Sequence, residues 1–473
     1  MHVVLNLINL PLIGEVNLSS GLLILFFVCL LAVVGFEFVN GFHDTANAVA
    51  TVIYTKALKP MVAVPWSGTW NFLGVFTGGV AVAMGILKLV PLNEMMALPT
   101  AVGASMVLAV LLSSIIWNLG TWWLGIPCSS SHTLIGSMIG AGLGFTMFYK
   151  GSVNWGKAGE IGMSLLLSPL IGFGVSVLLM WFLKNVVKAH SLFHVPSGEN
   201  DRPPILIRLL LITTCTLVSF FHGNNDGQKG VGLLMLILIA FLPAKFALDR
   251  NVSDDKILVS LTTVEQALPR IGVANDQDRT AVSQLGEAVT AAKATIATNA
   301  SRTDQNVFAF RKQVQAVVKD VRAVMGSGTA TISAEDRTTL SAVPGALGKT
   351  TDYAPVWVIA TISLSLGIGT MIGWKRIVLT IGEKIGKEHL NYAQGATAEL
   401  VAAGTIGLSS GFGLPVSTTH VLSSGIAGAM VASNGTKNLN KNTLKSIAMA
   451  WVLTLPVCIL LGLLLFLAFH LFV

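Results

Sequence analysis

The sequence predicts an all-helical polytopic membrane protein with discontinuous helices, built on an internal duplication and carrying a small soluble helical domain as an insert. Three observations predict it. Of 473 residues, 53% are hydrophobic and 11% charged, against about 25% charged in a soluble globular chain. Apolar stretches of the roughly 18 residues or more needed to cross a bilayer recur along the chain. Two short polar motifs each occur twice, in the same order.

In chain order, the opening MHVVLNLINL has no basic region and no small-residue cleavage site, so no removable signal peptide is expected. Apolar segments follow at 20–39, 61–90, 100–124, 132–149, 161–187, 205–221, 230–248, 354–374, 393–411, 419–433 and 446–472. Gly, Pro or polar clusters interrupt several of them, which predicts ten to twelve crossings, some broken. A spanning segment must satisfy its backbone internally, so broken helices imply a cavity lined by protein or water. Residues 249–352 differ, with DRNVSDDK, NDQDRT and SAEDRTT between apolar positions. Val282, Leu285, Val289, Ala292 and Ile296 follow three-four spacing, as do Val314, Val317, Val318, Val321 and Val324. That is the pattern of amphipathic helices with one buried face. The insert holds no catalytic or metal motif and reads as a structural or interaction domain. The expected organisation is a first membrane repeat with its connecting loop over 1–200, the start of a second over 201–248, the insert over 249–352, and the rest of the second repeat over 353–473.

The duplication is read from NGFHD at 40–44 and HGNND at 222–226, and from GIPCSSSHT at 125–133 and GLPVSTTHV at 413–421. Asp44 to Pro127 is 83 residues and Asp226 to Pro415 is 189; the excess of 106 is close to the length of the insert. Internal repeats whose broken helices meet at the midplane are the plan of many secondary transporters.

In PCSSSH and PVSTTH, proline ends one helix and the hydroxyl residues suit the N-cap of the next. A helix N-terminus presents unpaired N–H groups and a positive dipole end, which favours anions. Two such starts could grip a tetrahedral oxyanion from two sides; plain capping is the rival reading. His132 and His420 recur with them and are expected to cap or orient rather than to titrate.

Asp44 and Asp226 are costly at membrane depth and mark function by default. Carboxylate and amide oxygens suit small cations, so Asp44, Asn40 and Asn47 could coordinate a coupling ion, while His43 could exchange a proton. The halves differ where Asn47 aligns with Lys229 and His43 with Asn225. Lys229, three residues after Asp226, could pair with it in a helix. It is then either a structural ion pair or a tethered ammonium standing where the other half takes a mobile cation. Cys29, Cys128, Cys215 and Cys458 lie in apolar surroundings without metal or disulfide spacing. The net charge of +7 is ordinary for basic membrane loops and gives no reason to expect nucleic acid.

NGFHDTANAVAT, IIWNLGTWWLGIPCSSSHTLIG, FHGNNDGQKG, YAPVW, IGTMIGWKR, TIGEKIGK, YAQG and LPVSTTHVLSS resemble the PiT family of inorganic phosphate transporters, and within it the bacterial low-affinity PitA-type members. The resemblance covers nearly the whole chain apart from 249–352. It implies an inverted-repeat secondary transporter of the bacterial inner membrane, with phosphate bound by Ser129, Ser130, Ser131, Ser417, Thr418 and Thr419. It places the cation motif of sodium-driven members on Asn40, Asp44, Asn47, Asn225 and Asp226. Those members carry Asn before the first Asp and Asn three after the second; His43 and Lys229 stand here, which favours proton coupling over sodium. It also implies that a divalent metal could travel with phosphate as a neutral complex.

The expectation is therefore a proton-coupled phosphate symporter working by alternating access. It needs no resident cofactor, and no metal site is expected beyond a coupling cation at Asp44 and Asp226. Sodium-coupled phosphate or sulfate symport is the alternative. An anion channel is disfavoured by the paired acidic residues, and a serine hydrolase by the improbability of a duplicated catalytic site. A cytoplasmic insert is preferred, and a homo-oligomer is compatible with the sequence.

Overall fold

The computed structural model describes residues 5–197, 201–298, 301, 303 and 306–473. The chain forms two compact units: Met1–Glu94, Ala101–Ile237 and Pro355–Val473 in one, and Met95–Thr100 with Leu238–Ala354 in the other.

Among the described residues, the strands of the first unit lie at its start. Leu5–Leu10 (β1) and Gly14–Ser19 (β2) pair antiparallel, with Leu5 opposite Ser19. The first four residues of MHVVLNLINL lie outside the described residues. Ser19 caps the helix that follows, its hydroxyl accepting from the Leu22 amide at 3.4 Å. That helix, α1 (Ser20–Asp44), runs through NGFHD to its end, and α2 (Ala46–Tyr54) resumes after a one-residue break. Thr45 at the break keeps right-handed helical angles. Its hydroxyl lies 2.7 Å from the Gly41 carbonyl and 2.8 Å from that of Thr370.

Next come α3 (Pro60–Thr77) and α4 (Ala81–Leu87), bent by 71° at a break containing Gly79, whose φ is +77°. They are followed by α5 (Leu92–Met96), α6 (Thr100–Trp123), α7 (Ser130–Thr146) and α8 (Trp155–Phe182). Segments 205–221 and 230–248, expected as two crossings, are one continuous run. The helix α9 (Ile205–His222) passes through a π-turn at Gly223–Gly227 into α10 (Gln228–Phe241). Glycine is required in that turn because α3 passes against it. A Cβ on Gly223 would stand 2.2 Å from the Asn71 carbonyl oxygen, and one on Gly227 2.2 Å from the Val75 side chain.

The second unit contains α11 (Pro243–Phe246), α12 (Asp254–Ala267), α13 (Asp276–Ala297), α14 (Val307–Gly326) and α15 (Ala334–Thr351). Its core holds Leu285, Val289 and Ala292 of α13 and Val314, Val317, Val321 and Val324 of α14; Val282, Ile296 and Val318 flank it half-buried. Ion and cap contacts tie the ends: Arg270 grips Asp336 at 2.5 Å, and Ser327 and Thr329 donate to Asp278 at 2.7 and 2.8 Å.

The first unit closes with α16 (Val356–Thr370), α17 (Lys375–Leu379), α18 (Tyr392–Gly411), α19 (Thr418–Asn434) and α20 (Lys441–His470). The helix α7 packs along α20, α19 along α8, and α1 along α16. A Cβ on Gly41 would stand 2.5 Å from the Leu366 carbonyl oxygen, so α1 and α16 touch backbone to backbone.

Among the described residues, five helical runs are long and apolar enough to cross a membrane, or up to seven if each of two bent helix pairs is one span: Ser20–Tyr54, Thr100–Trp123, Trp155–Val187, Ile205–Phe241 and Lys441–His470 are the five. The expected ten to twelve crossings exceed this number for a physical reason. The helices α7 and α19 have 17 residues each, the lower end of the roughly 17–25 that span the hydrocarbon, α16 has 15, below it, and two expected segments merged into one run.

Candidate functional site

The polar motifs of both halves meet in the first unit. Pro127 and Pro415 precede the starts of α7 and α19, and the first hydroxyl of each motif is consumed locally. The Ser129 hydroxyl accepts from the His132 amide at 3.2 Å, and that of Ser417 from the His420 amide at 3.1 Å. These two residues are N-caps. Beyond the caps, one hydroxyl of each start, Ser130 and Thr419, turns toward a carboxylate. Ser130 lies 3.1 Å from Asp44 Oδ2 and equally 3.1 Å from Asp226 Oδ2. Thr419 donates to Asp44 Oδ1 at 2.6 Å, Asn47 donates to the same oxygen at 2.9 Å, and Asn47 Nδ2 lies 3.5 Å from Thr418. Asp44 of the first half thus receives donors from both serine/threonine starts.

Asp226 meets a cation of its own chain. The Lys229 ammonium stands 2.7 Å from Asp226 Oδ2 and donates to Ser131 Oγ at 2.6 Å, while Ser131 donates to the Val416 carbonyl at 2.6 Å. Lys229 and both aspartates are at most 1% exposed. A buried charge without a partner is expensive, and this pairing with further hydrogen bonds is what lets it persist.

Three predicted residues stand outside this cluster. His43 Nε2 faces Thr121 Oγ1 of α6 at 3.3 Å, and among the described residues His43 forms no ion pair with either aspartate. Asn225 donates to Ser410 at 2.9 Å and to the Leu414 carbonyl at 3.0 Å, and accepts from the Val416 amide at 3.2 Å. The two aligned positions therefore do the same work, each tying its motif to the segment that leads into the following hydroxyl-rich start. Asn40 donates to Glu37 at 3.3 Å, one turn back on α1.

His222 was not among the predicted residues. Its Nε2 lies 3.6 Å from Asp44 Oδ2 and 3.7 Å from Asp226 Oδ2, and its Nδ1 lies 2.7 Å from Asn71 Oδ1. The alignment of HGNND on NGFHD, which sets His222 opposite Asn40, was the signal that could have found it; nothing in the α3 sequence marks Asn71. A separate buried carboxyl, Glu399 of α18, accepts hydrogen bonds from Thr51 and, at 2.5 Å, from Thr214. The His132 and His420 rings stack with centroids 4.5 Å apart, and His420 stacks on Trp451 at 4.0 Å, as orienting groups would.

Long apolar helices enclosing two hydroxyl-rich helix starts and paired carboxylates, one set from each copy of a duplicated motif, define a multi-pass membrane transporter. The chain belongs to the phosphate transporter family, whose model matches residues 40–462. It is 39% identical to the low-affinity inorganic phosphate transporter PitA of Escherichia coli K12 over 96% of this chain and 98% of that one. It is 38% identical to PitB of the same strain over the same shares, and 29% identical to the probable low-affinity inorganic phosphate transporter of Bacillus subtilis over 93% and 96%. Among solved structures, the chain described as the sodium-dependent phosphate transporter matches with a TM-score of 0.56 at 19% identity, covering 95% of this chain and 100% of that one, a likeness of fold. The protein is a phosphate transporter of the bacterial inner membrane.

Proposed function

We propose that the protein is a proton-coupled symporter of inorganic phosphate. The observation that carries this reading is Lys229, whose ammonium stands 2.7 Å from Asp226 Oδ2. The first half has the neutral Asn47 at the aligned position, 2.9 Å from Asp44. A fixed ammonium there repels a second metal cation at the same carboxylate, whereas a proton needs no coordination shell and binds a single lone pair. Sodium coupling is therefore the weaker alternative.

The anion side consists of Ser130, Ser131, Thr418 and Thr419 with the amides opening α7 and α19, held in place by the caps Ser129 and Ser417. Hydroxyl donors without fixed charge suit an oxyanion that must be released again. A carboxylate facing a phosphate hydroxyl accepts its hydrogen bond, which fully ionised sulfate cannot offer, so Asp44 and Asp226 supply the phosphate selectivity. A divalent metal would travel as part of a neutral metal–phosphate complex rather than as a resident ion.

Uptake of labelled phosphate into proteoliposomes tests the reading. An inward proton gradient drives accumulation, with sulfate competing poorly, and replacing Asp44 by Asn lowers uptake by at least about tenfold, one transition-state or binding contact of this kind being worth that much. Uptake that requires sodium and ignores the pH gradient overturns it.

A further inference from the structure

The long apolar runs share a polarity that no single one shows. Ser20–Tyr54, Trp155–Val187, Ile205–Phe241 and Lys441–His470 each have one end at a common set of segments, 56–59, 184–208, 375–387 and 437–445. Contacts hold these segments together. Arg208 Nε, at the start of α9, donates to the Ala57 carbonyl at 2.8 Å, and Lys184, just past α8, donates to the Ser433 carbonyl at 3.3 Å. The Lys387 amide donates to the Asn438 carbonyl at 2.7 Å, and the Asn440 amide to the Ile385 carbonyl at 3.0 Å. The Thr380 hydroxyl donates to the Gly125 carbonyl, just past the end of α6, at 2.8 Å. At the opposite end, the Asn154 amide donates to the Leu89 carbonyl at 3.0 Å, and Tyr149 Oη lies 3.5 Å from His470 Nδ1.

Charge follows the same polarity. Every lysine and arginine of the first unit lies in the four segments, except the buried Lys229 and, at the opposite end, Lys88, Lys150 and Lys157. Aromatic rings mark the level at which the basic side chains begin. Trp123 and Trp181 are exposed, and the Arg376 guanidinium covers the Trp122 and Trp123 rings, 5.3 and 4.7 Å from their centroids. Tryptophan at headgroup level with lysine and arginine just beyond it is the pattern of a membrane surface. Two acids at this end are taken up locally, Asp201 accepting from the Ser197 amide at 2.7 Å and Glu388 from Asn434 at 2.5 Å.

We infer that this end of the first unit rests on the anionic phospholipid headgroups of the cytoplasmic leaflet. Short loops rich in lysine and arginine are retained on that side, where the leaflet's negative surface potential attracts them. The chain leaves the first unit after Ile237 and re-enters it at Pro355. Ile237 lies on the run that starts beside Arg208 at the basic end and crosses to the other face, and α16 returns from that face toward 375–387. Residues 238–354 therefore reach the periplasm, in place of the cytoplasmic side preferred from the sequence. Their own charges do not oppose this, because a long segment translocates largely regardless of charge. The inference is independent of which ion drives transport.

Labelling from outside tests the sidedness. Cys29, Cys128, Cys215 and Cys458 are buried, so an exposed replacement reports alone. In cells with a permeabilised outer membrane, a membrane-impermeant maleimide is expected to label Ser341→Cys at once, and Lys437→Cys only after the inner membrane is opened. Gly328→Cys and Lys445→Cys, also at exposed positions, replace them if either variant loses phosphate uptake. A basic-end cysteine that labels before the inner membrane is opened, or an insert cysteine that labels only afterwards, overturns the assignment. Nanodiscs test the lipid. The wild-type protein is expected to melt at a higher temperature in phosphatidylglycerol than in phosphatidylcholine. That gap is expected to close by about half or more in K437Q/K441Q/K445Q, and likewise in about 1 M salt, where screening acts within about 3 Å. No gap, or a gap that survives either change, overturns the headgroup contact.

Discussion

Ser129 and Ser130 are neighbours with different physical tasks. Ser129 closes the first turn of α7 by accepting from the His132 amide at 3.2 Å, whereas Ser130 reaches across to both aspartates at 3.1 Å. Ser129→Ala is expected to cost about 1 kcal/mol of stability, as loss of an N-cap does, and to lower the melting temperature more than the uptake rate. Ser130→Ala is expected to do the reverse, losing most uptake with little change in melting temperature. Thermal denaturation of the detergent-solubilised protein, paired with reconstituted uptake, separates the two; equal effects on both measurements would undo the division. The sequence grouped the three serines because spacing reveals a helix start, but which hydroxyl closes the turn and which points outward follows from backbone angles at each position. The same limit explains His43 and Asn225. Their polarity and position in the repeat marked them for a cation site, yet each side chain turns toward the segment before the next helix start, at Thr121 and at Ser410, Leu414 and Val416.

At the scale of elements, the two aspartate motifs occupy helices that are disturbed rather than ended. In the first half the disturbance is the single-residue break at Thr45, and in the second it is the π-turn Gly223–Gly227. A π-turn places one extra residue in the helix and shifts the side chains after it, a device frequent at functional positions. Here it coincides with close passage of α3, since Gly223 meets the Asn71 backbone. Gly223→Ala would put a methyl 2.2 Å from that carbonyl oxygen, with an expected cost of about 1–3 kcal/mol from overpacking and loss of uptake, because Asn71 and His222 lie at the same contact. Gly404→Ala in α18 meets nothing within 4 Å and is the control. A Gly223→Ala melting curve that overlays the control's would remove the packing argument. Glycine in HGNNDG was visible in the sequence, but its reason was not, since the constraint comes from a helix some 150 residues away in the chain.

At the scale of the whole molecule, the second unit carries its own apolar core, and its chain enters and leaves at neighbouring points: the Asp249 amide donates to the Thr350 carbonyl at 2.8 Å. A segment whose ends lie together can be exchanged for a short linker with little strain. Replacing residues 251–348 by a few Gly and Ser residues is expected to leave a folded membrane unit that still accumulates phosphate in the reconstituted assay. A folded variant without uptake would assign the second unit a part in transport. By itself the sequence determined the membrane class, the duplicated motifs and the amphipathic faces of α13 and α14, because hydrophobic periodicity and motif spacing are local and additive along the chain. Only the tertiary structure decided that 205–241 is one helical run, that Ser129 and Ser417 cap, and that His222 and Asn71 join Asp44, Asp226 and Lys229 in one buried cluster. Those outcomes depend on which distant side chain satisfies each buried polar group. Distance along the chain does not encode that pairing.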